Sequence, residues 1–279
     1  MHAIKTAVLK KLFQIRTERK EQGAKPVLGI RLGEKHISFA ITDGETGELS
    51  SLYYFTTEQV NETRLSGLAA AHSELNRPFY KVCICYDYTD QVMLPAGVFS
   101  EIQAGDMLKM FTGTGEQPAL LSETFWENGL QNAYGVPPEV HAWLTNKFPD
   151  ARHRHLFSLM VQQPFPAERG EVLRMDIDRD QFALVAVKAD RLLFAGTFQY
   201  ATPEDVLYYL LKTCEEYDCS PLSARLLVSG LVERDSSLYR EIYQYFMHPE
   251  FREASWKPVP GDYPSHFFTI LGELTACGS

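Results

Sequence analysis

At 279 residues the chain is long enough for about two domains, with cores that need neither disulfides nor a structural metal. Hydrophobic residues make up 45% and charged residues 23%, a balance that excludes a disordered chain. A formal net charge of −9 argues against general nucleic-acid binding, which rests on neutralising phosphates. No apolar stretch approaches the roughly 20 residues of a membrane span.

The opening segment, residues 3–22, predicts a helix with Ile4, Val8, Leu12 and Ile15 on one stripe. It is basic, with Lys5, Lys10, Lys11, Arg16, Arg19 and Lys20 against Glu18 and Glu21, and Gly23 to Pro26 end it. Packing on the body or on a partner is the expected fate of such a stripe. Lys10 and Lys11 break the apolar run, which argues against a signal peptide, so a cytoplasmic chain is expected.

Val27–Gly33, His36–Asp43 and Leu49–Thr56 then read as three strands, with a turn signal at Asp43-Gly44. A helix is expected from Glu58 to about Leu75, and Lys81–Tyr86 returns as a strand. Cys83 and Cys85 share one face of that strand, where a bridge between them would be badly strained. With Cys214, Cys219 and Cys277 they make an odd set of five without framework spacing, and they read as free thiols in a reducing compartment.

The same order recurs downstream. Glu171–Asp178, Gln181–Lys188 and Arg191–Tyr200 read as strands, and Thr202-Pro203 opens a helix to about Tyr217. Ala224–Ser229 is the return strand, and Ser236–His248 is an amphipathic helix. Arg31 aligns with Asp176 at an offset of 145, Glu58 with Glu204 at 146, and Val82 with Leu226 at 144. This near-constant spacing implies a duplicated α/β architecture, with domains at 26–168 and 169–279 after a helical segment at 1–25.

A three-stranded antiparallel meander followed by a helix and a parallel return strand is the ribonuclease-H-like core. Two such domains in tandem resemble the actin-like ATPase fold of actin, sugar kinases and heat-shock chaperones. Leu28-Gly-Ile-Arg-Leu32 with Ile37-Ser-Phe-Ala-Ile41 resembles the opening of an uncharacterised Bacteroidetes family of unknown function with this duplicated fold. That resemblance implies a fold but carries no activity.

The actin-like resemblance does imply where a nucleotide would bind, in a cleft between the halves. Each first hairpin of such proteins carries Asp-x-Gly, the Asp organising hydrated Mg²⁺ and the Gly opening the backbone to phosphate. Here the first stretch is Ile30-Arg31-Leu32-Gly33, so Arg31 takes the Asp position and Gly33 is retained nearby. The second is Met175-Asp176-Ile177-Asp178, so Asp176 matches and Asp178 takes the Gly position. Gly230 is the single glycine of the expected adenosine-side loop. This pattern reads as a degenerate nucleotide site in which ATP hydrolysis is not expected and in which Arg31 could pair with Asp176 or Asp178.

Other constellations have plainer readings beside the chemical ones. Asp176, Asp178 and Asp180 could gather a metal on one face, but Asp178-Arg179-Asp180 is composed like a turn. His153 and His155 could form half a metal site, although two flanking arginines favour a solvated loop or strand edge. Thr112-Gly-Thr-Gly-Glu116 lacks the Gly-Lys-Ser/Thr of a phosphate loop, and no nucleophile elbow surrounds any serine. Trp126 and Trp256, if exposed, would favour a protein-binding surface. Two readings follow. One is a non-hydrolysing actin-like scaffold for an unidentified protein partner, needing no cofactor, of a kind with proteins of type IV pilus and secretion systems. The other is a divergent kinase or ATPase using ATP and Mg²⁺, with Arg31 on the phosphate.

Overall fold

The structure is a computed structural model that describes residues 9–17, 25–98, 100–112, 118–125, 129–162, 170–247, 249–256 and 263–276. The chain divides into two compact units. The first comprises Met1–Leu156, Ser255–Gly261 and Ile270–Ser279, and the second comprises Phe157–Ala254 and Asp262–Thr269. These units divide after Leu156, whereas the sequence spacing places the two domains at 26–168 and 169–279.

In the first unit β1 (Lys10–Arg16) is followed by β2 (Pro26–Gly33), β3 (His36–Asp43), β4 (Leu49–Thr56), α1 (Glu62–Ala71) and β5 (Lys81–Asp87). Then come β6 (Gln91–Pro95), α2 (Glu101–Thr112), β7 (Ala119–Phe125), β8 (Leu130–Val136), α3 (Pro138–Lys147) and β9 (Arg152–His155). The larger sheet has the order β1-β4-β3-β2-β5-β9. Strands β2, β3 and β4 are antiparallel neighbours, while β5 runs parallel to β2 and β9 parallel to β5. β2 is central and buried along almost its whole length, as its nearly continuous apolar run demands. On one face Leu28, Ile30, Leu32, Phe39 and Tyr53 pack with Leu65 and Leu68 of α1 and Leu144 of α3 in a single core.

The opening segment is not the expected helix over its described part. Lys10–Arg16 is a strand antiparallel to β4, with Ile15 opposite Leu52 and a register shift between Lys11 and Phe13. Ile15 is buried, Phe13 packs edge-on against Tyr54 at 5.8 Å, and Lys10, Lys11 and Arg16 are exposed. A short run such as Leu12-Phe13-Gln14-Ile15-Arg16 satisfies a strand period about as well as a helical one. The unsatisfied main-chain edge of β4 decides between them, because each residue of β1 that pairs there fills ladder hydrogen bonds. Ile4 and Val8 lie outside the described residues.

The second unit contains most of α4 (Leu156–Gln162), then β10 (Glu171–Ile177), β11 (Gln181–Lys188), β12 (Arg191–Gln199), α5 (Pro203–Glu216), β13 (Arg225–Gly230), α6 (Ser237–Tyr245) and β14 (Pro249–Phe251). Its sheet has the order β12-β11-β10-β13-β14, antiparallel from β12 to β10 and parallel from β10 onward. Thr202 and Asp205 form a reciprocal capping box at the start of α5, as the Thr-Pro-Glu-Asp sequence foretells. Val206 and Leu210 of α5, with Leu238 and Ile242 of α6, close the core over Met175, Phe182 and Val228. The final helix α7 (Thr269–Ala276) lies against β2 at Gly29, where an added Cβ would stand 3.0 Å from Thr275 Cγ2 and 3.3 Å from Leu274 Cβ.

The architecture is mixed α/β, but the sheets are more than bare meanders. β1 and β9 extend the first, β14 extends the second, and an antiparallel sheet ordered β6-β8-β7 with α2 beside it has no counterpart in the sequence reading. The strand alignment keeps its register: Arg31 lies opposite Ser38 and Cys85, and Asp176 opposite Ala183 and Ser229. The helix alignment does not. The caps are Asn61 and Thr202, so α1 starts later than expected, and Ser73–Asn76 forms a separate 3₁₀ turn. Cys83, Cys85, Cys214 and Cys219 are buried free thiols, and Cys277 lies outside the described residues. No helix among the described residues is long and apolar enough to cross a membrane.

Candidate functional site

In the first unit the candidate position is the end of the β2–β3 hairpin. Arg31 sits one turn of the pleat before Gly33 and is 7% exposed, so its guanidinium requires a partner. Asp87, the last residue of β5, provides it: Arg31 Nε and Nη2 donate to Asp87 Oδ2 at 3.1 and 2.7 Å. His36 Nε2 lies 3.6 Å from the same oxygen, and its ring stacks on Tyr54 at 5.7 Å. Gly33 is required because a Cβ there would fall 2.6 Å from the Asp87 carbonyl oxygen and 2.8 Å from His36 Cε1. The carboxylate of this hairpin thus comes from the neighbouring strand, where it is charge-matched by the guanidinium.

The corresponding hairpin of the second unit is built differently. Asp176 is 2% exposed, and its Oδ1 accepts a hydrogen bond from Ser229 Oγ at 2.7 Å across the β10–β13 ladder. Asp178 is not on the strand. It opens the turn to β11, where its N–H donates to Gln181 O, its side chain accepts from Arg179 N–H at 2.8 Å, and its carbonyl accepts from the Tyr200 hydroxyl at 2.6 Å. Asp180 caps the same turn, its carbonyl accepting from Tyr200 N–H. The three aspartates therefore divide between a strand and a turn, in keeping with the turn composition of Asp178-Arg179-Asp180. Gly230 has φ +87°, and a Cβ there would stand 2.1 Å from Ile177 O. Its glycine is explained by backbone packing on β10. Arg174, 1% exposed and donating to Met160 O at 2.5 Å, alternates onto the same face as Asp176; the sequence reading does not single it out.

A second polar cluster lies in the first unit. Tyr86 on β5 shares its hydroxyl between His141 Nδ1 of α3 and His153 Nδ1 of β9, at 2.9 and 3.0 Å. One hydroxyl has one proton, so it donates to one imidazole and accepts from the other, and the two rings hold opposite tautomers. Burial and the neighbouring His141 push His153 down to about 4, and burial lowers His141, so both are neutral at pH 7. The arrangement is a neutral hydrogen-bonded relay. His155 does not join it: two residues on, along the same strand face, its Nε2 donates instead to Tyr88 O at 3.0 Å in a fully buried setting. Burial pushes it down to about 4 as well. His153 and His155 thus lie on the edge strand of the sheet, one of the two expected placements, with His155 buried there. No group of three or more His, Cys, Asp or Glu among the described residues could hold a metal ion.

Trp256 is buried, with Nε1 donating to Thr275 Oγ1 at 2.9 Å, and contributes no surface. Trp126 and residues 113–116 of the Thr112–Glu116 motif lie outside the described residues. The large exposed apolar side chains of the second unit include Tyr208, Tyr243, Tyr245 and Met247.

Among solved structures, the chain is similar to a Bacteroides thetaiotaomicron protein with actin-like ATPase fold and unknown function, at TM-score 0.74 and 17% identity over 90% of this chain and 96% of that one. It is similar to a chain of the PilM–PilN type IV pilus biogenesis complex at TM-score 0.58 and 11% identity, covering 90% and 98%. It is also similar to the ethanolamine utilization protein EutJ from Carboxydothermus hydrogenoformans at TM-score 0.51 and 7% identity, covering 94% and 92%. At these identities the likeness is one of fold. No curated protein matches the chain. A family sequence profile matches residues 17–248, and the chain belongs to that family, described as Protein of unknown function (DUF3822).

Proposed function

We propose that the chain is a non-hydrolysing module of the actin-like fold, made of two tandem ribonuclease-H-like halves, that works in the cytoplasm by binding a protein partner. The observation that carries this reading is Arg31. At the strand position where an actin-like hairpin offers a carboxylate to hydrated Mg²⁺, this chain offers a guanidinium committed to Asp87. A fixed positive charge there opposes a divalent cation by the same Coulombic argument that makes a carboxylate attract one. Asp178 adds a carboxylate at the second hairpin's turn, where phosphate would approach. The shared register of Arg31–Cys85 and Asp176–Ser229 supports the duplication.

The partner class rests on the PilM–PilN likeness, that protein being a component of an assembly complex. It rests also on the exposed Tyr208, Tyr243 and Tyr245, since tyrosine is prominent among the residues that dominate interface energies. One feature favours the alternative of a divergent ATP-binding kinase or ATPase: Asp176 is retained and held by Ser229.

The test is ATP turnover with thermal unfolding in Mg-ATP, using the intact protein and Asp176→Asn. A bound nucleotide at 100 times its dissociation constant would stabilise by about 2.7 kcal/mol. Neither turnover nor stabilisation is expected. Magnesium-dependent turnover that vanishes in Asp176→Asn would overturn the reading and establish the enzyme.

A further inference from the structure

A cavity of about 460 Å³ opens in the first unit at the N-terminal ends of β5 and β9, bounded also by the end of α3 and by residues 75–80. That size lies within the range of small-molecule sites. Its charged lining is one-sided: Arg77, Lys81, Lys147 and Arg152 face a single acid, Asp150, in a chain whose net charge is −9. The strand register explains part of the convergence. Arg152 pairs with Cys83, two residues after Lys81, so Lys81 and Arg152 emerge on the same face of adjacent parallel strands.

Lys81 and Lys147 are held by something other than carboxylates. Lys81, Lys147 and Arg152 make no ion pair among the described residues. Instead Lys147 Nζ donates to Asn76 Oδ1 at 2.7 Å and lies 5.5 Å from the Phe148 ring centre, and Arg77 lies 5.5 Å from that of Phe79. Lys81 Nζ is 5.5 Å from the ring centre of Tyr80. Aromatic faces and an amide position Lys81 and Lys147 without neutralising them. The same rings and Pro149 give the cavity an apolar wall.

We propose that this cavity binds a phosphate monoester carried on an aromatic group. A phosphate dianion answers several converging cations at once, and an arginine fork and lysine point charges suit its oxygens. The ring meets the apolar wall. This assignment does not rest on the function proposed above, and it concerns surface away from the β2–β3 hairpin end.

The experiment is isothermal titration of the intact protein with phenyl phosphate, inorganic phosphate, benzoate and a hexaglutamate peptide, at low and at 0.3 M salt on the order of a threefold shorter Debye length. The variant is Lys81→Gln/Arg152→Gln, whose replaced side chains make no hydrogen bond to the body; an unchanged melting temperature verifies its fold. Phenyl phosphate is expected to bind best, with at least a tenfold loss in the double variant and a clear weakening at high salt. Equal binding by wild type and the folded variant, or no binding of phenyl phosphate at millimolar concentration, would overturn the proposal. Tighter, variant-sensitive binding of hexaglutamate would also overturn it and assign the cavity to an acidic peptide.

Discussion

Replacing Arg31 by Met tests whether the hairpin guanidinium is held by Asp87 as a buried ion pair. Both side chains are nearly inaccessible, at 8% and 7%, and two N–H groups converge on one oxygen at 3.1 and 2.7 Å. Methionine keeps much of the apolar stem and removes the charge, leaving the Asp87 carboxylate desolvated. Breaking a buried pair from one side costs about 3–5 kcal/mol. His36 is already 3.6 Å from the same oxygen and offers a partial substitute, so the expected loss is about 3 kcal/mol. The double variant Arg31→Met/Asp87→Leu removes both charges, and it is expected to recover most of that loss because no ion is left unpaired. Urea unfolding of the four proteins of the cycle measures the coupling directly, with unchanged m-values showing that the unfolded states are comparable. A single variant within about 1 kcal/mol of wild type, or a double variant no more stable than the single, would refute the buried-pair account.

Three further outcomes are expected. His155 is lowered to about 4 in the folded chain, against 6.5 when unfolded, so the unfolded state binds the extra proton as pH falls between these values. Stability from this group is whole above pH 6.5, is lost toward pH 4, and amounts to about 3 kcal/mol, at 1.36 kcal/mol per unit; urea unfolding across that window should be less steep in His155→Gln, and equal slopes would exclude the group. Gly230→Ala should cost clearly more than the roughly 1–2 kcal/mol of a left-handed backbone, because of the Ile177 collision; Gly47→Ala, at φ +68° with no atom within 4 Å, is the control for the backbone cost alone. Thr202→Ala, removing one half of the α5 capping box, should lower stability by about 1 kcal/mol in a melt, and no change would mean that the box contributes nothing.

Strands β2–β4 and β10–β12 are legible because short apolar runs bounded by turn residues, such as Asp43-Gly44 and Asp178-Arg179-Asp180, mark each of them. Even the register of Arg31 and Asp176 could be read, since a strand permits no insertion without flipping its faces. The helices α1 and α5 were less constrained: the Asn61 cap is one of several polar residues before Leu65, and it moved the start of α1. β1 escaped because its identity depends on an open edge some forty residues later in the chain. The sheet β6-β8-β7 escaped because its strands are short and half-exposed, with weak alternation. Of the candidate site, the identities were legible and the partnerships were not. Nothing near Arg31 in sequence announces Asp87, and nothing near His153 announces Tyr86 or His141, because the contacts are made by strand neighbours and by a helix crossing them.

The first strand ends the larger sheet, and such a rim is a template on which another chain can add itself. β1 carries exposed Lys10, Lys11 and Arg16 along this rim and breaks its ladder between Lys11 and Phe13. A second copy arriving edge to edge would bring the same cations into line with these and would meet an irregular row of main-chain groups. On an edge strand such basic residues would hinder pairing with a second copy of the chain.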